Sequence, residues 1–317
     1  MLAVIGIAAV GLGVVGCSGG GPNLPDGIVM ELDPDDSEVV GIPAEIIEFE
    51  NSRRDDLLGV FFAAPGSGPA PVVIVLHGAG GLFATPDSND VYLELAPQFL
   101  DWAAVLHAEG YAVFFPSSFL SRGYLEWHDA PDSLDETDRI LMRTHDVHSA
   151  LSEACDRPEV DCQRMALLGF SNGASVAAFS MHERITEIPG LEGLDVGPLP
   201  VSSTSYYPGC GFQDLISLDM DDASSTWYFP SVPVMVNHGD EDSLLDNCEV
   251  RLEQTARVTA ERGDGPNRYQ LFVHDGAGHG FDSSPSGADE RTAREQARVR
   301  TLERFADSFD DGVVTLR

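Results

Sequence analysis

Eight short runs dominated by apolar, β-branched and aromatic residues, at 46–50, 57–64, 72–76, 111–115, 165–170, 201–206, 233–238 and 269–274, constrain this chain more than anything else in it. After the first two, they alternate with longer stretches of helical periodicity at 97–109, 135–154, 173–183, 246–262 and 289–309. Parallel strands need long crossovers, usually helices, and a parallel sheet needs cover on both faces. The alternation therefore predicts an α/β fold: a mostly parallel central sheet with helices on both faces. At 317 residues and 43% apolar composition, with no shift in composition along the chain, one large domain is expected.

The fifth strand-like run ends in Gly169-Phe170-Ser171-Asn172-Gly173, a G-x-S-x-G pattern, and a small-residue helical stretch follows directly. The bare pattern recurs by chance, so its placement between strand and helix gives it weight. A sharp turn there lifts the Ser hydroxyl above the sheet, and glycines flank it because side chains would collide. A nucleophilic Ser also needs a base, an acid to orient the base, and donors for the oxyanion. All have candidates in the chain order Ser, Asp, His.

His279 sits in the Gly-rich loop after the last strand, with His274 at the strand end as its rival. Asp242 is the preferred acid among Asp240, Glu241 and Asp242, which follow the strand at 233–238. The strand at 72–76 runs into His77-Gly78-Ala79-Gly80-Gly81, whose Ala79 N–H, with that of Asn172, is assigned to the oxyanion hole. His107, His145, His148 and His182 fall on helical patterns and read as surface or satisfied core residues, and His77 as packing beneath the oxyanion loop. No cofactor or metal is implied, because the cysteines show no close C-x-x-C pair and no His at ligand spacing.

Residues 1–17 read as a lipoprotein-type signal peptide, an apolar run whose Val14-Val15-Gly16-Cys17 resembles the lipobox of bacterial lipoprotein precursors. Cys17 is then the lipidated residue, with an uncleaved apolar anchor as the alternative. Either way the chain is expected to be exported and held at the cell envelope. Residues 18–43, rich in Gly, Pro and Asp, read as a flexible tether, and 44–317 as the folded domain. Acidic residues number 52 and basic ones 18, every one of them Arg, for a formal charge of -34. Such a surface repels nucleic acid and anionic lipid heads. Export permits disulfides, and Cys155, Cys162, Cys210 and Cys248 allow three connectivities.

With these residues in view, the chain resembles the dienelactone hydrolase family of the α/β-hydrolases over about residues 60 to 310. The resemblance rests on His77-GAGGL, Pro116-SSFLSRG, Arg143-THD, Val160-DCQRMALLGFSNGA, Tyr207-PGCG, His238-GDED and Ala277-GHGFD, in that order. It implies the α/β-hydrolase fold, with Ser171 as nucleophile, Asp242 as acid in an H-G-x-x-D pattern and His279 as base. Founding members of the family carry Cys where Ser171 stands. Their substrate is a carboxylate, which a chain this acidic does not readily attract, although Arg122 is a candidate local anion contact. Exported relatives with the Tyr-Pro-x-Cys block imply a Cys210–Cys248 disulfide, which leaves Cys155 to pair with Cys162.

The implied activity is hydrolysis of a small-molecule carboxylic ester or lactone through an acyl-enzyme intermediate. A serine peptidase of the same fold is the alternative among enzymes, and the sequence lacks the N-terminal propeller of oligopeptidase relatives. A catalytically inactive ligand-binding surface lipoprotein is the alternative outside them. Specificity is expected to lie in the loops at 117–138 and 215–231.

Overall fold

The structure is a computed structural model that describes residues 44–84, 93–211, 213–216, 227–263 and 265–310. Eight strands form one sheet: β1 (Ala44–Glu50), β2 (Asp56–Phe62), β3 (Ala70–Leu76), β4 (Ala112–Ser117), β5 (Val160–Phe170), β6 (Ser202–Tyr206), β7 (Val234–Gly239) and β8 (Tyr269–His274). Their order is β1-β2-β4-β3-β5-β6-β7-β8. The short turn from β1 to β2 permits only an antiparallel pair, and β2 also runs antiparallel to β4. From β4 to β8 every pairing is parallel.

Alternation along the central strands divides the core. Ile74 and Leu76 of β3 and Leu167 of β5 face one side, where they pack with α2 (Glu136–Asp156) and α3 (Asn172–Phe179). The cluster on that side also takes in Cys248 of α5 (Leu245–Arg262). Val73, Val75, Ala166 and Leu168 face the other side, against Phe99, Trp102 and Leu106 of α1 (Pro97–Ala108) and Ala297, Phe305 and Phe309 of α6 (Ala288–Asp310). Both faces of the sheet are thus apolar, which explains why these strands read as continuous hydrophobic runs. A four-residue helix, α4 (Gln213–Ile216), lies beyond β6.

Local chemistry sets the helix ends. Asp135 accepts from the Asp138 N–H at 2.8 Å while its own N–H donates to the Asp138 carboxylate, a capping box that starts α2. Pro97 opens α1, and Gly263, at φ +70°, closes α5. The helix expected at 173–183 stops at Phe179, because His182 bridges to Pro230 and pulls the chain out of helical register. β5 begins five residues before the expected 165, at Val160. None of the described helices is long and apolar enough to cross a membrane.

The buried histidines make the fold acid-sensitive. Burial pushes His148, His182 and His274 down to about 4 and holds His77 well below its ordinary value. Unfolded, the same imidazoles protonate near pH 6.5. Between those values the unfolded chain binds more protons, so stability present above pH 6.5 is lost progressively as the pH falls towards about 4. Calorimetry is expected to show Tm falling from about pH 7 to about pH 5, and a flat or rising Tm across that window would contradict this account.

Candidate active site

The turn between β5 and α3 is built as the sequence pattern requires. Ser171 has φ +51° and ψ -118°, a backbone conformation that costs free energy for a residue with a side chain and persists only where its surroundings hold it. Its N–H donates to the Tyr206 carbonyl at 3.0 Å. A Cβ on Gly169 would lie 2.5 Å from the Gly173 carbonyl, and one on Gly173 would lie 2.4 Å from the His77 and Leu76 carbonyls. Only glycine therefore fits at either flank of the serine.

Ser171, His279 and Asp242 meet. Ser171 Oγ lies 2.8 Å from His279 Nε2, and His279 Nδ1 lies 2.7 Å from Asp242 Oδ2. The other carboxylate oxygen, Oδ1, accepts from the Leu244 N–H at 3.1 Å, which fixes the rotamer of Asp242. Because Asp242 can only accept when ionised, the imidazole proton sits on Nδ1 and Nε2 faces the hydroxyl as an acceptor. The Asp242 side chain is 3% exposed and that of His279 is 42% exposed. The Asp242 carboxylate is desolvated, while the His279 imidazole stays within reach of solvent.

Loop-to-loop contacts hold His279 against Asp242. The Asp240 N–H donates to the His274 carbonyl at 3.1 Å and the Glu241 N–H to the Ala277 carbonyl at 3.0 Å, while Asp240 Oδ1 accepts from the Gly276 N–H at 2.7 Å. Gly239 lies so close to the base loop that a Cβ would sit 2.0 Å from the Ala277 carbonyl. Glu290 of α6 accepts from the Gly278 N–H, and the Tyr207 ring packs against the His279 imidazole with centroids 4.9 Å apart. Tyr207 is backed in turn by Gln98, which also bonds the buried Asp282. His274 faces Asn237 Oδ1 at 3.2 Å instead of the serine, and so does not compete with His279.

Ala79 and Asn172 line the same cavity as Ser171, a cleft of about 360 Å³. Three carbonyls of the 77–81 loop are held by hydrogen bonds: that of His77 by Arg143, that of Gly78 by His77 Nδ1 at 2.9 Å, and that of Ala79 by the Trp127 N–H at 2.7 Å. Trp127, Leu134, Asp135, Glu136 and Arg139 come from the 117–138 loop and the start of α2, while Gly209 and Leu244 form the opposite wall. The 117–138 loop thus reaches the site, as expected, whereas most of the 215–231 segment lies outside the described residues. Arg139 stacks 3.5 Å over the Trp127 ring and donates to the Trp127 and Leu134 carbonyls.

Arg122 is not an anion contact. Its guanidinium is clamped by both oxygens of Asp146 at 2.9 Å and by Asp55 at 2.8 Å, and it also donates to the Ser118 carbonyl. These partners are distant in sequence, so the residue looked free there. Cys210 is bonded to Cys248, tying the loop that carries Gly209 to α5, and Cys155 is bonded to Cys162 between α2 and β5. Cys17 lies outside the described residues. Among those described, no cluster of three or more His, Cys, Asp or Glu side chains is arranged to hold a metal ion.

No protein-family model and no curated protein matches the chain. Solved structures do. A protein assigned as a dienelactone hydrolase from Klebsiella pneumoniae superposes with a TM-score of 0.57 at 18% identity, over 83% of this chain and 99% of the other. Esterase 2 of Thermogutta terrifontis, phosphorylated by paraoxon, gives 0.55 at 16% identity, over 82% and 94%. Dipeptidyl peptidase 4 of Porphyromonas gingivalis gives 0.53 at 15% identity, over 84% of this chain and 35% of the peptidase.

This chain has the α/β-hydrolase fold.

In an α/β-hydrolase sheet the strand-to-helix turn with G-x-S-x-G stands at the top of a central strand, and the acid and histidine follow on later strands. Here those positions are the ends of β5, β7 and β8, which hold Ser171, Asp242 and His279. In the sequence Tyr207 and Arg143 stand only within the blocks that carry the resemblance, with no place at the site attached to them, and Glu290 was missed. Arg143 alone left a visible signal, a cation on the helical stripe otherwise formed by Ile140, Val147, Ala150 and Ala154.

Proposed function

We propose that this chain is a serine hydrolase that cleaves a small-molecule carboxylic ester or lactone through an acyl-enzyme intermediate. The observation that carries the reading is the unbroken chain Ser171 Oγ, His279, Asp242 at 2.8 and 2.7 Å, presented beside an open cleft by a strained nucleophile turn. Ser171 Oγ attacks the carbonyl carbon as its proton passes to His279 Nε2, and Asp242 stabilises the resulting imidazolium. The Ala79 and Asn172 N–H groups receive the oxyanion. Collapse expels the alcohol, which takes the proton from His279, and a water activated by the same nitrogen then hydrolyses the acyl-serine.

Turnover of p-nitrophenyl butyrate, with a fluorophosphonate or paraoxon adduct mapped to Ser171, tests the reading directly. An adduct on another residue, or no turnover across esters and lactones of graded length, would reject it. A serine peptidase would use the same three residues, and the likeness to a dipeptidyl peptidase fold gives that second reading its support. Dipeptide p-nitroanilides assayed beside the esters separate the two.

The cleft also bears on substrate charge. Its one lining cation among the described residues, Arg139, is committed to two carbonyls and an indole, while Asp135 and Glu136 also line the cleft. An ester whose acyl chain ends in a carboxylate is expected to show kcat/KM at least about tenfold below its methyl-capped equivalent of equal length, with the gap narrowing as salt is added. Equal values at low salt would contradict this.

For location we propose the outer side of a cell membrane, with Cys17 as the lipid-bearing residue, on the strength of the lipobox-like Val14–Cys17 stretch. Incorporation of labelled fatty acid by the wild type, abolished in Cys17→Ser, is the expected result.

A further inference from the structure

Arg143 is a buried cation that the reaction as written does not use. It lies on the inner face of α2, 1% exposed, where the neighbouring stripe positions hold Ile140, Val147, Ala150 and Ala154. Among the described residues no carboxylate stands within ion-pair distance of it, and the nearby Asp146 is taken by Arg122. Its partners are neutral: one terminal nitrogen donates to Asn172 Oδ1 at 2.5 Å and the other to the His77 carbonyl at 2.7 Å, while Nε has none and Phe119 covers the group at 5.1 Å. An arginine stays charged wherever it is buried, and burying a charge without an anion is costly. A methionine would fill this place without that cost.

Its two acceptors belong to the two halves of the candidate oxyanion hole. Asn172 supplies one N–H, and the His77 carbonyl sits where the oxyanion loop meets the nucleophile turn, against Gly173. From there the geometry runs to the second donor. The Ser118 N–H donates to His77 Nε2 at 3.1 Å, so the imidazole proton is on Nδ1 and is given to the Gly78 carbonyl. That arrangement requires a neutral imidazole, which burial and then the Arg143 charge enforce. In a trans peptide C=O and N–H point opposite ways, so fastening the Gly78 carbonyl inward turns the Ala79 N–H outward.

We infer that Arg143 is the positioning residue of the oxyanion hole, clamping both donor segments with one guanidinium and keeping behind them a positive charge that has no carboxylate bonded to it, only the longer-range field of Asp146, and that gains a further anion when the tetrahedral intermediate forms. The inference rests on the serine-hydrolase reading above. A charge arranged this way favours the transition state over the bound substrate, so its loss falls on kcat.

The test compares wild type, Arg143→Lys and Arg143→Met for hydrolysis of p-nitrophenyl butyrate and for inhibition by an aryl trifluoromethyl ketone, which forms an oxyanion on the serine. Arg143→Met is expected to lower kcat by about 10² to 10³, the scale of one lost oxyanion donor, with KM nearly unchanged and ketone affinity falling in parallel. Arg143→Lys, which keeps the charge and one arm of the clamp, should fall in between. A merely structural role would lower Tm while leaving kcat per folded molecule and ketone affinity intact, and would overturn the inference. If Arg143→Met does not fold, Asn172→Ala decides: it keeps the backbone N–H but frees one arm, and unchanged kcat and ketone affinity would overturn the inference equally. A wild type that neither turns over esters nor binds the ketone would sink the serine-hydrolase reading and this one with it, whereas an active wild type with unaffected variants would sink this one alone.

Discussion

Replacing Ser171 with alanine is expected to lower kcat for ester hydrolysis by about 10⁴ to 10⁶, the scale of losing the nucleophile of a cooperating serine triad. The substitution removes one hydroxyl at the mouth of a cleft, so no core cavity opens and Tm should stay within a few degrees of wild type. The strained backbone at φ +51° remains, because alanine carries the same Cβ. His279 loses its 2.8 Å partner but keeps Asp242 and the Tyr207 ring, so the base should not drift. Activity within tenfold of wild type, measured on protein free of contaminating esterase, would show that another group attacks the substrate.

The second large effect separates two aspartates that lie two residues apart. Asp242 accepts the Nδ1–H of His279 at 2.7 Å from an almost fully buried position, whereas Asp240 is exposed and holds the Gly276 N–H. Asp242→Asn replaces an acceptor by an amide that can present a donor, inviting the imidazole into the wrong tautomer, and kcat should fall by roughly 10³ to 10⁴. In Asp240→Asn, Oδ1 can still accept from Gly276, so the loss should stay within about tenfold. Steady-state kinetics on both variants decide the matter. Equal losses would mean that the shape of the loop is being measured, and the reverse order would move the orienting role to Asp240.

Much of this was legible in the sequence because central parallel strands are buried on both faces and leave unbroken apolar runs. The run at 72–76 was read for that reason, since each of its residues is buried within β3. β5 was read short because its first residues include Asp161, Gln163 and Arg164, which lie towards the sheet margin beyond the irregularity in its pairing with β3. The candidate site was legible where chemistry and backbone coincide, at a serine that needs glycines on both sides and a histidine that needs a free loop. Arg122 was misread because what neutralises it comes from Asp55 and Asp146, positions that only folding brings together. The contacts of Tyr207 and Glu290 with the His279 loop left no trace for a similar reason, since each is made to a segment distant in sequence.

The strand order carries one more consequence. The serine stands at the end of β5, flanked in the sheet by β3 and β6, while the imidazole depends on β8, one of the two edge strands, and on the loop beyond it. Edges fray before centres. Under the proposed function, heat or denaturant should therefore disarm the site from the outside in, taking His279 from Ser171 while the turn that carries the serine is still intact. A protein that fails in this sequence falls silent early in its unfolding, with an inert alcohol exposed in place of an unguarded nucleophile.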